Sequence, residues 1–130
     1  MAATCTMTPP DPELIREALR VLRPLIDTAH VDAYSDDDWP YDVLDAYQDA
    51  LSLARDAVAA GTRSRRADPG MGIDIDVRDD AQFEILVALA PFTINAEARQ
   101  GNRLVFSASD SGHSLWFDAE LTNSPGTVEG

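Results

Sequence analysis

Five aspartates, Asp38, Asp42, Asp45, Asp49 and Asp56, follow one another at intervals of four, three, four and seven residues. On a helix they share an arc of about 60°. Carboxylates in such a row accept charge-assisted hydrogen bonds from Arg and Lys groups that would otherwise hold phosphates. Trp39 and Tyr41 flank the row and, by the same wheel, point away from the apolar face. Aromatics beside charge are the composition of interface hot spots. The row is locally costly, because like charges three or four residues apart oppose the helix by roughly 0.2–0.5 kcal/mol per pair. Only Arg55 is near it in sequence, about 100° off the row.

Other residue groups carry weaker chemistry. Asp36, Asp37, Asp38 and Asp42, or Asp74 with Asp76, offer oxygen atoms to a hard cation, but the glycine and distal glutamate of a calcium loop are missing. Neither a metal nor a cofactor is expected. Ser109, Asp110, Ser111, His113 and Ser114 include the residue types of a hydrolase without a nucleophile motif, and read as polar turn residues. His30 is expected to cap a helix C-terminus. Arg63, Arg65 and Arg66 form the densest basic cluster and read as a loop, while Gly70 and Gly72 form an isolated pair without a following helix. No catalytic residue is assigned, and the expectation is a protein that is not an enzyme.

The elements that must position the row come next. Asp11 and Pro12 form an N-cap and first-turn pair, and Leu14, Ile15, Ala18, Leu19, Leu22, Leu25 and Ile26 recur with helical period until Pro24 kinks or splits the helix. Residues 30–38 read as a connector. A second helix runs from the cap residues between Ser35 and Pro40 to about Ala60, with Gly61 closing it. Val43, Leu44, Tyr47, Ala50, Leu51, Ala54 and Val58 form its packing face.

From Ile73 the pattern turns strand-like in IDIDV, FEILVAL, TINAEAR, RLVFSAS and SLWFDAEL, with hairpin loops at Gln100-Gly101-Asn102 and Ser111-Gly112-His113. The expected fold is α+β, with two N-terminal helices packed on a C-terminal antiparallel meander of four to five strands. Residues 1–10 and 123–130 are expected as flexible tails around a single domain over 11–122.

Composition narrows the partner. Twenty-three acidic residues oppose ten basic ones, all arginine, for a net charge of −13 in 130 residues. Such a chain repels nucleic acid and anionic membrane and attracts basic surfaces. Hydrophobic residues make up 45% of the chain, enough for one core without disulfides, and the only cysteine is Cys5. Residues 1–10 have no leader-like pattern and no apolar run is long enough to span a bilayer, so a cytoplasmic location is expected.

In general character these features suit a non-enzymatic acidic inhibitor of a basic protein, such as a bacterial immunity protein that neutralises a toxin, for example a nuclease. A phage-type nucleic-acid mimic is the near alternative. A structural module that self-associates through a sheet edge or apolar surface is the rival, its acidity serving solubility or reflecting an Asp-rich, GC-rich genome.

Overall fold

The computed structural model describes residues 2–33, 39–66 and 70–118. Their strands form one six-stranded antiparallel sheet, and three α-helices accompany it. Strand β1 spans Ala2–Thr6, β2 Thr28–Asp32, β3 Ile73–Ile75, β4 Asn95–Gln100, β5 Arg103–Ser109 and β6 Ser114–Asp118. Their spatial order is β1-β6-β5-β4-β2-β3. The α+β class stands as expected, while the counts of two helices and four to five strands do not.

Helix α1, Pro12–Leu22, starts as its residues dictate. Asp11 Oδ1 accepts from Leu14 N at 3.1 Å, and Pro12 occupies the first turn. Ile15, Leu19 and Leu22 are buried along one stripe. Pro24 splits the element, and Arg23–Leu25 continues as a single 3₁₀ turn. Helix α2, Tyr41–Ala59, follows Pro40, which stands at the N-cap and not inside the helix. At its other end Gly61 N donates to Val58 O.

Helix α3, Asp80–Leu89, overturns the strand expected for FEILVAL. Asp79 caps it by accepting from Ala81 N and Gln82 N, and Gln82 Oε1 reaches back to Asp76 N at 2.8 Å. Phe83, Leu86, Val87 and Leu89 are all buried, since α3 packs beside both neighbouring helices and against β2 and β3. A helix enclosed on several sides loses amphipathic periodicity, and a short apolar run then looks like a buried strand. Asp79→Ala removes two side-chain acceptances and is expected to cost about 1 kcal/mol, whereas Asp79→Ser keeps a cap. Urea denaturation of the two variants checks this; equal midpoints would show that the cap contributes nothing.

Two further strands come from segments expected to be irregular. His30 to Asp32 belong to β2, with Ala29 and Val31 buried between Thr28, His30 and Asp32. The period-two alternation is there, but it is short and begins only two residues after the apolar pair Leu25 and Ile26. Part of the segment expected as a loose N-terminal tail is β1, in register with β6 from Ala2↔Asp118 to Thr6↔Ser114. The β4–β5 and β5–β6 hairpins form where expected.

Cross-strand register brings the small and apolar residues Ala29, Val31, Ile73, Ile75, Ala96, Ala98, Phe106, Ala108 and Leu115 to the helix-covered side of the sheet. Ala96 and Ala98, both fully buried, lie on β4, one of the two central strands, where short side chains leave room for the helix layer to pack closely. The other face carries His30, Glu97, Ser107 and Trp116 in one cross-strand row.

Candidate functional site

Strand order and helix packing fix where the aspartates stand. Helix α2 packs on α3 and over β3, an edge strand, so α2 lies at one end of the helix layer. Val43, Tyr47, Ala50 and Ala54 turn inward and are buried. Asp42, Asp45, Asp49 and Asp56 are all exposed on the opposite side. Asp38 lies outside the described residues, as do Asp36 and Asp37. The part of the row within α2 is therefore four carboxylates long.

The two aromatics expected beside the row part company. Tyr41 opens α2 and is 94% exposed. Trp39 precedes the helix, so a helical wheel does not apply to it. Its ring packs against the core and stacks on Tyr47, with centroids 4.7 Å apart and planes 19° from parallel. The Trp39 indole N–H is buried without a hydrogen-bond partner among the described residues. Trp39 thus braces the start of α2, and Tyr41 is the aromatic available to a partner.

Leu44, expected on the packing face, is 39% exposed. Together Tyr41, Leu44 and Gln48 form an exposed ridge beside the aspartates at i, i+3 and i+7 spacing. The wheel placed Leu44 at the margin of the apolar arc, and margin residues of a helix at the end of a layer have no neighbour to cover them. The surface therefore pairs an acidic row with an aromatic and aliphatic ridge.

The ion pairs among the described residues all lie away from the row. Arg20 makes two hydrogen bonds to Glu84, at 2.8 and 2.9 Å. That hydrogen bonding holds the Glu84 carboxyl below its ordinary pKa and raises that of Arg20. Arg16 meets Glu13 and donates to the Val87 and Ala88 carbonyls at the end of α3. Arg23 pairs with Asp80 at 2.6 Å, lies over the Phe83 ring and donates to Val77 O. On the sheet, Glu97 lies 3.3 Å from both His30 and Arg99, and Arg103 pairs with Asp118.

Arg16, Arg20 and Arg23 tie α1 and its 3₁₀ extension to α3, Arg103 joins β5 to β6, and none of these arginines reaches the row. Among the described residues, no ion pair or hydrogen bond involves the carboxylates of Asp42, Asp45, Asp49 or Asp56. Asp42 shares a cleft with Arg16 and Arg20 without pairing with either. Arg55 turns aside to the Ser52 hydroxyl at 2.9 Å. The four carboxylates face solvent without a charge partner among the described residues.

The remaining candidates have local roles. His30 is a strand residue opposite Glu97 and Asp74, not a helix cap. Asp76 accepts from Arg78 N in the turn before α3. Arg63 holds the Met71 and Gly72 carbonyls. His113 Nδ1 lies 2.8 Å from Asp110 O within the β5–β6 turn. Among the described residues no three His, Cys, Asp or Glu side chains gather into a metal-binding group, and no helix is long and apolar enough to cross a membrane. No protein-family model, curated protein or solved structure matches the chain.

Proposed function

We propose that the protein is a non-enzymatic acidic inhibitor that covers a cationic site on a partner protein, using the outward face of α2. The observation that carries this reading is the uncompensated row. Asp42, Asp45, Asp49 and Asp56 stand exposed on one helix, while Arg16, Arg20, Arg23, Arg99 and Arg103 pair with other acids. The helix presents Asp42, Asp45 and Asp49 at Cβ intervals of about 5–6 Å, with Asp56 about two turns beyond, so the row suits Arg and Lys groups built for a polyanion.

Tyr41 and Leu44 add apolar contact area beside the charge, which a purely solubilising face would not need. The concrete form is an immunity protein that neutralises a toxin such as a nuclease, with a nucleic-acid mimic directed at a DNA-binding protein as the neighbouring variant. Both occupy a basic cleft by the same chemistry. The protein acts by occlusion, without a cofactor.

The test is capture from the source cell with the wild-type chain and with Asp42→Asn/Asp45→Asn/Asp49→Asn as parallel baits, eluted on a salt gradient and identified by mass spectrometry. A basic protein held by the wild type, released as salt rises and absent from the variant supports the reading. A partner held equally by both baits sinks it.

A further inference from the structure

The two edges of the sheet are built differently. Edge strand β3 is three residues long and carries exposed Asp74 at its centre. Short length and an exposed charge are the usual protection against strand addition. Edge strand β1 has neither device. It runs five residues, AATCT, without a charge or proline, and pairs only with β6. Its outer row of backbone N–H and C=O groups has no partner among the described residues. Thr4 and Thr6 are exposed along it.

The surface beside β1 is apolar too. Helix α1 contacts β5 and leaves a shallow groove toward the edge, lined by Leu14, Ala18, Val21, Leu115 and Phe117, with Glu17 its one charged member. Leu14 is 39% and Val21 57% exposed. Charge decides what can approach. Two copies of a chain at −13 repel each other through most of their surface, but the first ten residues, MAATCTMTPP, contain no charged side chain. Along this uncharged strand a second copy meets little side-chain repulsion and finds hydrogen-bonding groups without partners among the described residues.

We infer that the protein forms a two-fold dimer by antiparallel pairing of β1 with β1 of a second copy, making one continuous sheet. Pairing all five residues sets the register: residue 2 opposite 6, residue 3 opposite 5, and Thr4 on the two-fold axis opposite Thr4. The two α1 grooves then lie on the same side of the joined sheet, flanking the axis. Helix α2 lies at the β3 end, so each copy keeps its aspartate row free, and the dimer stands or falls independently of the inhibitor reading.

The experiment is sedimentation equilibrium of the full chain with reductant, so that a Cys5 disulfide cannot mimic association, from about 1 µM to 1 mM. The expected mass rises from 14.1 kDa toward twice that value. Thr4→Glu and Thr4→Lys each place like charges face to face on the axis and are expected to weaken the dimer at least about tenfold. Thr4 is exposed, and circular dichroism verifies that both variants fold. Mixed one to one, they place opposite charges at the axis and recover dimer. A constant 14.1 kDa, undiminished dimerisation of both variants, or no recovery in the mixture overturns the proposal.

Discussion

Gly112→Ala is expected to destabilise the protein by about 2–4 kcal/mol, more than the same change at Gly61, Gly72 or Gly101. Two costs combine. Gly112 has φ of +92°, a conformation that L side chains rarely adopt, and an added Cβ would overlap the carbonyl oxygen of Pro91 and press on the Pro10 side chain. The obstacle is backbone, which cannot swing aside as a side chain can.

The surrounding turn is also fixed. Asp110 N donates to Ile94 O and Ser111 N to Thr93 O, so the β5–β6 connection is docked on the segment that links α3 to β4. Relief of the clash would have to move one of those elements. Gly101 supplies the control. It too has positive φ, +59°, but open space surrounds it, so Gly101→Asn should cost less than about 1 kcal/mol. Thermal melts distinguish the two, with a fall of roughly 10 °C or more expected at position 112 and a few degrees at 101. Equal falls would mean that backbone conformation alone matters and that the approach to Pro91 does not.

Asp42→Asn/Asp45→Asn/Asp49→Asn is expected to lower affinity for the cationic partner by about a hundredfold while leaving folding stability within about 0.5 kcal/mol of wild type. Most of the loss should appear in the association rate, because exposed charges steer encounter over the Debye length. The wild-type rate should fall steeply with salt and the variant's only weakly. Stability hardly changes because opposing terms meet. Asn at 45 and 49 removes a like-charge pair, but Asp42 lies in the first turn of α2, where a negative charge interacts favourably with the helix N-terminus. Stopped-flow association at two salt concentrations with a melting curve on each protein checks both halves. A variant with wild-type kinetics refutes the role of the row, and a large fall in melting temperature would reveal internal pairing.

How far the sequence could be read depended on where each element sits in the layers. Helix α1 and its cap were legible because Asp11, Pro12 and the Ile15–Leu19–Leu22 stripe all express one exposed and one buried side. The β4–β5 hairpin was legible from Gln100-Gly101-Asn102, since a tight turn has local chemistry. Helix α3 was not, because burial on several sides removes the contrast on which periodicity depends. Strands β1 and β2 escaped because AATCT and TAHVD acquire their pairing from β6, β3 and β4, all distant in sequence.

The same holds at the surface. The outward direction of Asp42, Asp45, Asp49 and Asp56 followed from helical spacing alone. The inward turn of Trp39 and the exposure of Leu44 depended on neighbours, Tyr47 in one case and the end of the helix layer in the other.

The order β1-β6-β5-β4-β2-β3 has a further consequence for motion in solution. It sets the anionic face of α2 and the uncharged edge at opposite ends of the sheet, so the described residues carry a lengthwise asymmetry of charge. Near a cationic surface the field exerts a torque as well as a pull. On the proposed function the chain would turn with α2 leading before contact, which would shorten the orientational search that otherwise limits protein association.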